Sequence, residues 1–437
     1  MKVFALLFCA ITLHAAEPDW AALDKYAVDL LQRYLRIPTI NPPANTKAAA
    51  EMLKAEFEKH GFAVKLYPSG PAGQTNLFTR LAGRDRSKKP LVLLNHMDVV
   101  PVDAKAWSVD PFGGVIRDGF IWGRGALDMK GIAVEQMVAL IALKQAGVAP
   151  SRDIVMFSSA DEESSGIFGI RWMIENHPDE IDGEYSFDEG GVATRDLLAP
   201  NRLIFGVTVG EKQMVWIKLR VKGTAGHGSQ PIPDNANSIL MEAIRKAMAA
   251  PPATKTDAVV AEMQSTIGEM AKNKFTAAIQ GNTMTLTTLR SGVGDPPKPN
   301  VIPSAAEATI DCRLLPGVNA EEFLSEIRAR INDPHVTVER LSTVPDPGPS
   351  KTKTPLFEVI RAAVKKQHPD AVVSPILVPY GTDSVHLRNK GVTAYGLVPM
   401  VLDAATMATM HSDEERIPLS EFLKGIRIFY DVLRSDF

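Results

Sequence analysis

The side chains best suited to chemistry are a histidine and an aspartate that each follow a recognisable local pattern. His96 follows the apolar run 91–94, and Asp128 follows a glycine-rich turn at residues 123–125 and precedes a helical pattern. A buried parallel strand is continuously apolar, and open α/β sheets bind ligands beyond the carboxyl ends of their strands. We therefore expect His96 and Asp128 to be metal ligands at such a sheet edge.

More acids and a second histidine follow other apolar or glycine-bounded stretches in the same manner, namely Asp98, Glu162, Glu163, Asp188, Glu189 and His411. So many carboxylates at one sheet edge would repel one another unless cations neutralised them. Two imidazoles and three carboxylates can hold two Zn²⁺ ions, with one carboxylate bridging, and such ions lower the pKa of a shared water towards about 7. A further carboxylate that is not bound to metal must then accept the proton.

Each of these signals has a simpler explanation when it is taken alone. A His-x-Asp sequence such as His96 to Asp98 is usually an accident, and adjacent acids such as Glu162 and Glu163 usually form a solvated face. Their position gives them weight, because each follows an apolar run and precedes a glycine or a helix start.

The elements that must position these residues alternate along the first half of the chain. Helical spacing covers residues 20–35 and 46–60, and apolar strands cover 91–96 and 153–159, with a helix between them after Asp128. This alternation predicts an α/β fold with a mostly parallel sheet and helices on both of its faces.

The pattern changes near residue 213. Strand and helix patterns then follow in the order β-α-(helical insert)-β-β-α-β, which predicts an α+β unit with a four-stranded sheet and helices on one face. The predicted organisation is a signal segment at 1–16, a first domain in two parts at 17–212 and 344–437, and a second domain inserted at 213–343.

The N-terminus indicates export. Lys2 precedes an apolar run at 3–13 and then Ala15 and Ala16, as in a secretory signal peptide, although a buried N-terminal strand is the alternative. The run is too short to span a bilayer, and the residues before Cys9 do not suit a lipid anchor. We expect a periplasmic or secreted protein in which Cys312 is unpaired and buried as a small hydrophobe.

Length, composition and net charge indicate an ordinary globular protein with no electrostatic preference for polyanions. The 437 residues suggest two domains, and 45% hydrophobic with 23% charged residues is ordinary for a globular protein. A net charge of −3 gives no electrostatic reason to expect nucleic acid or a membrane surface as a partner. We expect a small-molecule substrate.

Taken together, the motifs resemble the dinuclear zinc amidohydrolases and peptidases that include aminoacylase, glutamate carboxypeptidase, carnosinase and succinyl-diaminopimelate desuccinylase. The resemblance covers almost the whole mature chain. It rests on the following segments: His96-Met97-Asp98-Val99-Val100-Pro101, Gly123-Arg124-Gly125 before Asp128-Met129-Lys130-Gly131, Asp161-Glu162-Glu163, Asp188-Glu189-Gly190 and His411.

The resemblance implies which residue does what at a site with two Zn²⁺ ions per subunit. The first zinc would be bound by His96, Asp128 and Glu189, and the second by Asp128, Glu163 and His411. Glu162 would be the general base, and Asp98 would orient His96. Asp188 is the alternative to Glu189 as a ligand.

The inserted segment 213–343 resembles the lid or dimerisation domain of this family, which implies that 17–212 and 344–437 form the catalytic domain. His227, in Gly226-His227-Gly228, resembles a histidine that stabilises the oxyanion, often in the active site of a partner subunit, so a homodimer through this domain is possible. Arg313 could bind a substrate carboxylate or simply pair with Asp311. Asp383 resembles a residue of a Gly-Thr-Asp loop near the substrate, or it could cap a helix.

The chain departs from the family pattern at Ser165-Gly166, where Gly-Gly is frequent, and over residues 249–281, which are not diagnostic. The resemblance implies hydrolysis of an amide bond beside a free carboxylate, in an N-acyl amino acid or a short peptide. Two alternatives remain open: a non-catalytic relative that binds small ligands or peptides in the same cleft, and a metal-free hydrolase with two carboxylates, such as a glycosidase.

Overall fold

The computed structural model describes residues 17–164, 166–249, 256–342 and 344–437. The predicted signal segment 1–16 and Ser165 lie outside these ranges. Before residue 213 the helices are α1 (Trp20–Leu35), α2 (Lys47–Lys59), α3 (Gly131–Gln145) and α4 (Ile170–Asn176). The strands of this part are β1 (Val64–Pro68), β2 (Thr75–Leu81), β3 (Leu91–His96), β4 (Val115–Arg117), β5 (Phe120–Trp122), β6 (Ile154–Ser159), β7 (Tyr185–Asp188), β8 (Val192–Arg195) and β9 (Leu203–Glu211).

The elements of the remaining chain are again given in sequence order. From 213 to 342 they are β10 (Gln213–Lys222), β11 (Gly226–His227), α5 (Ala236–Ala247), α6 (Ala258–Ile267), α7 (Lys274–Ala278), β12 (Thr283–Ser291), β13 (Val301–Ile302), β14 (Ala305–Leu314), α8 (Ala320–Ile331) and β15 (Val336–Arg340). From 344 onwards they are α9 (Pro355–Gln367), β16 (Val372–Val378), α10 (Ser384–Arg388), β17 (Thr393–Gly396), β18 (Val401–Leu402), α11 (Ala404–Met407), β19 (Arg416–Pro418) and α12 (Leu419–Leu433).

A ten-stranded mixed sheet forms the larger part of the fold, in the order β1-β2-β6-β3-β7-β17-β9-β8-β18, with β16 beside β9. Its centre, β6-β3-β7-β17, is parallel. Leu91 and Leu93 pack into one hydrophobic cluster, whereas Val92 and Leu94 pack into another on the opposite face. Side chains alternate between the faces of a strand, so β3 is buried on both sides. The predicted α/β fold with a mostly parallel sheet is confirmed.

A separate four-stranded antiparallel sheet has the order β12-β14-β10-β15. Alternate residues of β10, among them Val215 and Ile217, point to one face and pack against Leu240 of α5 and Phe323 of α8. Cys312 is fully buried in the same cluster. The sheet with helices on one face therefore matches the sequence pattern, while its role as a lid or dimerisation unit stays a prediction.

One segment of the predicted insert packs elsewhere. In α6, Val260 and Met263 belong to the core of the large sheet, and the helix contacts β16. The apolar stripe of this helix indicates that one face is buried, but it does not specify which sheet covers that face. In its packing, α6 therefore differs from the rest of the predicted insert, whose bounds of 213–343 stay a prediction. Across the described ranges, every helix falls short of the length and apolar character needed to cross a bilayer.

Candidate metal centre and cleft

The predicted ligands lie where their elements end at one edge of the large sheet. His96 is the last residue of β3, and Glu163 follows β6. Glu189 follows β7, and Asp128 lies in the turn Ala126–Lys130 that leads into α3, where its own backbone is not helical. His411 comes from the loop between α11 and β19. Five distant segments of the chain thus meet at one place.

The Asp128 carboxylate lies between the two imidazoles. Its Oδ1 is 2.9 Å from Nε2 of His96, and its Oδ2 is 3.0 Å from Nε2 of His411. Oε1 of Glu163 lies 3.4 Å from Nε2 of His411, and Oε2 of Glu189 lies 3.8 Å from Nε2 of His96. The structure therefore brings all five predicted ligands together, with Asp128 in the bridging position.

The donor set suits divalent zinc. Ligand atoms of His96, Asp128 and Glu163 all lie within 4.8 Å of one another, and so do those of His96, Glu162 and Glu189. Oε1 of Glu163 is buried and has no hydrogen-bond partner among the described residues. Imidazole nitrogens and carboxylate oxygens are ordinary zinc ligands, and an orphaned buried oxygen is what a metal ion would satisfy.

Asp188 and Glu189 point in different directions. Oδ2 of Asp188 accepts a hydrogen bond from the Ser384 hydroxyl at 2.9 Å, and its Oδ1 accepts one from the backbone N–H of Glu189 at 2.9 Å. The carboxylate of Asp188 is thus occupied away from the two histidines, whereas that of Glu189 approaches His96. This geometry favours Glu189 as the ligand.

Asp98 positions two parts of the centre at once. Its backbone carbonyl is 2.9 Å from Nδ1 of His96, closer than its own Oδ1 at 3.6 Å. Its carboxylate accepts the backbone N–H groups of Glu162 at 3.1 Å and Glu163 at 3.0 Å, and the side-chain amide of Asn41 at 2.8 Å. A proton on Nδ1 leaves Nε2 available to a metal. Asp98 therefore orients His96 mainly through its main chain and fixes the Glu162-Glu163 turn through its side chain.

Glu415 and Arg124 hold the other side of the centre, and the sequence analysis assigned a role to neither. Oε1 of Glu415 accepts the backbone N–H groups of Gly125, Leu127 and Asp128 at 3.1, 2.9 and 3.1 Å. Arg124 donates to Oε2 of Glu415 at 2.6 Å and to the carbonyl of His411 at 3.3 Å. The signals were present, an arginine between two glycines and an acid four residues after the last ligand, but neither specifies a partner.

Burial and mutual repulsion dominate the electrostatics of the acids. Burial, followed by the charge of Glu189, raises the pKa of Glu162 well above its usual value. Burial, followed by the charge of Asp128, does the same to the pKa of Glu189. The carboxylate of Asp128, followed by that of Glu163, raises the pKa of His411 to about 10. A centre that concentrates this much negative charge favours cations.

A cavity of about 590 Å³ opens on the centre. Asp128, Glu162, Glu163, Glu189 and His411 line it together with residues of the small sheet, among them Met214, Trp216 and Arg313. Arg313 pairs bidentately with Asp311, at 2.7 Å from Nε and 3.1 Å from Nη2. Both interpretations of Arg313 thus have structural support, since the ion pair forms on the cavity wall. The volume is typical of a site for a small molecule.

His227 is not brought to this cavity. Its side chain is exposed, its Nδ1 lies 2.7 Å from the Ser229 hydroxyl, and it is absent from the cavity lining. Within one chain it therefore does not contact the other predicted site residues. Asp383 does line the cavity, but its side chain makes no capping hydrogen bond to α10, so the helix-cap interpretation is wrong.

Comparisons with known proteins were made for the sequence and for the fold. The sequence profile of Peptidase family M20/M25/M40 matches residues 92–435. Probable carboxypeptidase S-like 2 of Dictyostelium discoideum is 29% identical over 415 residues, covering 88% of this chain and 78% of that protein. The N-fatty-acyl-amino acid synthase/hydrolase PM20D1 of Homo sapiens is 27% identical over 450 residues, covering 93% and 87%.

Among solved structures, the M20 family metallo-carboxypeptidase Sso-CP2 from Sulfolobus solfataricus superimposes with a TM-score of 0.72 at 18% identity, covering 94% of this chain and 98% of that chain. At this identity the similarity establishes a shared fold. It spans both sheets, because almost the whole of each chain is covered.

Proposed function

Because the chain belongs to Peptidase family M20/M25/M40, we propose that it is a dinuclear zinc hydrolase of amide bonds in N-acyl amino acids or short peptides that carry a free carboxylate. Membership of this family makes it a metal-dependent hydrolase. One observation carries the finer proposal: the two oxygens of Asp128 lie 2.9 and 3.0 Å from the imidazoles of His96 and His411. A carboxylate in that position can bridge two ions.

These contacts support the ligand assignment that the family resemblance implies. His96, Asp128 and Glu189 would hold one zinc, and Asp128, Glu163 and His411 the other. Bound zinc would supply Lewis acidity, which activates water as a nucleophile and polarises the amide carbonyl. The chain's own part is to hold the ligands at fixed distances, which Asp98 and Glu415 do through backbone N–H groups.

Glu162 is the proposed general base and acid. Its backbone N–H is held by Asp98 at 3.1 Å, and a carboxylate oxygen lies within 4.8 Å of ligand atoms of His96 and Glu189. The carboxylate would take the proton from the attacking water and return it to the amine that leaves. Burial, which raises the pKa of this group, favours the protonated form needed for the second transfer.

The substrate class rests on the relatives and on the cavity. One relative is named a carboxypeptidase S-like protein and another an N-fatty-acyl-amino acid synthase/hydrolase, and both names describe substrates with an amide beside a carboxylate. Trp216, Leu341 and Met410 are large apolar residues that line the cavity while 37–41% exposed. An apolar wall of this kind suits a hydrophobic acyl group or side chain.

We also propose a homodimer and an exported location. His227 would stabilise the oxyanion of a neighbouring subunit, which agrees with its exposure and its distance from the cavity lining of its own chain. The apolar run after Lys2 supports secretion or transfer to the periplasm.

The test combines metal analysis with a substrate panel. Purified protein should contain zinc and hydrolyse members of a mixed set of N-acyl amino acids and dipeptides, and chelation should abolish turnover. Glu162→Gln should keep the zinc and lower kcat by about 10²- to 10⁴-fold, the usual contribution of a general base. Full activity in that variant would refute the mechanism. Retained metal without hydrolysis of any substrate would instead favour a non-catalytic binding protein.

A further inference from the structure

Four cationic side chains line the cavity, namely Arg171, Lys212, Arg313 and Arg388. Three of them have partners. Arg313 pairs bidentately with Asp311, and Nη2 of Arg388 lies 2.5 Å from Oε2 of Glu211. Nζ of Lys212 donates to the carbonyl groups of Ala278 at 2.8 Å and Gly281 at 2.7 Å.

Arg171 differs from these three. Among the residues that the structure describes, its guanidinium has no ion pair, no side-chain hydrogen bond and no aromatic ring beneath it. The residue is half-buried in α4, the helix that follows the Glu162-Glu163 turn. Its aliphatic stem passes Gly166, where an added Cβ would meet Cδ of Arg171 at 3.7 Å and Oδ1 of Asp383 at 3.4 Å.

A titratable neighbour on the cavity wall, His386, supplies no counter-charge. His386 also lines the cavity, and burial, followed by the charge of Arg171, lowers its pKa to about 4. The imidazole is therefore neutral at physiological pH. Within the described ranges no carboxylate pairs with this half-buried guanidinium, so its charge is available to an anion that enters the cavity.

We propose that Arg171 binds the free carboxylate of the substrate, in the same cavity as the metal centre. The planar guanidinium fork matches a carboxylate in two parallel hydrogen bonds. Arg313 is the residue that the sequence suggested for this role, but two of its nitrogens are already hydrogen-bonded to Asp311. The inference rests on the proposed function, because it identifies how that substrate is oriented.

Carboxylate recognition is tested by comparing an N-acyl amino acid with its C-terminal carboxamide, using the zinc-loaded enzyme. The wild type should prefer the carboxylate. Arg171→Gln should raise KM for the carboxylate substrate about 10- to 100-fold, the range expected for lost hydrogen bonds between charged groups, and should leave KM for the carboxamide almost unchanged. Arg171→Lys should restore part of the preference, because it restores the charge without the fork.

Two controls separate binding from folding. Arg195→Gln removes a surface arginine that pairs with Asp370 and should alter neither KM nor thermal stability. Added guanidinium chloride at low millimolar concentration should partly rescue Arg171→Ala on the carboxylate substrate alone, which no structural role of Arg171 would predict.

The outcomes distinguish the inference from the function on which it rests. If the wild type hydrolyses neither substrate, the proposed function fails. If the wild type prefers the carboxylate and Arg171→Gln keeps that preference, Arg171 is not the anchor and the inference is overturned. A preference lost only in Arg313→Gln would overturn it as well, and would return the role to Arg313.

Discussion

The metal centre and the loop that carries His227 are built in opposite ways. Apart from His411, the proposed ligands have largely buried side chains at the edge of a ten-stranded sheet. Almost every ligand is held by a second residue, as Glu415 holds the backbone of Asp128. His227 lies in a strand of two residues that pairs with β13, is exposed, and contacts Ser229 two positions away.

The contrast shows which part of the chemistry one chain can complete. Ligand positions fixed by a sheet edge and by buried hydrogen bonds need no further partner. A histidine on an exposed loop, outside the cavity of its own chain, needs either a second subunit or a movement of the small sheet before it can contact a substrate. Variants of the two regions should therefore behave differently.

The largest effect is expected at Asp128, the residue proposed to bridge both ions. Asp128→Asn replaces the bridging carboxylate with a neutral amide, which weakens the binding of both metals at once. We expect zinc content and hydrolysis to fall together to background, while the far-ultraviolet circular dichroism stays native. Normal zinc content in this variant would mean that Asp128 does not bridge.

His227→Ala should lower kcat by about 10²- to 10³-fold, the cost of losing one oxyanion donor, and should leave zinc content unchanged. If His227 acts in the neighbouring subunit, mixing this variant with Glu162→Gln should restore activity. In an equal mixture of dimers about a quarter of the sites would then be complete. No recovery after subunit exchange would place His227 in its own site or outside the mechanism.

Glu415→Gln tests whether a residue that is not itself a ligand fixes the position of Asp128 in the metal centre. The amide accepts fewer of the three backbone N–H bonds and pairs less well with Arg124, so the turn carrying Asp128 loses its anchor. We expect zinc affinity to fall about 10- to 100-fold, as for other residues that support ligands, measured by competition with a chelator. Ser229→Ala, next to His227, should leave zinc affinity at its wild-type value.

The smallest effect is expected on thermal stability, in α3, the helix that follows the Asp128 turn. Glu135 of α3 is fully buried, both of its carboxylate oxygens lack hydrogen-bond partners among the described residues, and burial raises its pKa well above the usual value. The folded state therefore keeps a proton that the unfolded chain releases above about pH 4.5. The free energy of unfolding therefore falls as the pH rises from about 4.5 towards the raised pKa of Glu135.

Glu135→Gln removes this titration. Its Tm should exceed that of the wild type by about 1–3 °C at neutral pH, and the difference should shrink towards zero near pH 4. Glu51→Gln, at an exposed site paired with Lys47, should show no such pH-dependent difference. A gain at Glu135 that does not change with pH would contradict the assignment of a neutral carboxyl group.

Sequence patterns identified the elements whose signals are local. The bounds of α1 and β3 agree with prediction, because a helical stripe or a strand between clear breakers needs no tertiary information. The short β4, β5 and β19 were missed, since three residues carry no period. The long β9 was missed as well, because Gly206, Thr208 and Gly210 interrupt its apolar run.

The candidate site divides in a similar manner. Ligands that follow strands could be predicted, because residues at the carboxyl ends of neighbouring strands meet. Arg171 and Glu415 could not, since their importance depends on which partners they have or lack in the folded chain. The exposure of His227 could not be predicted from the sequence either, because a histidine between two glycines has the same local pattern whether it is buried or exposed.

The central claim is that Asp128 joins two metal ions in one chain. Metal analysis of the purified wild type after zinc loading and gel filtration tests it most directly, with Glu162→Gln analysed in parallel. We predict about two zinc ions per chain in both proteins. A single ion per chain, or hydrolysis that persists after all metal has been removed, would contradict the account.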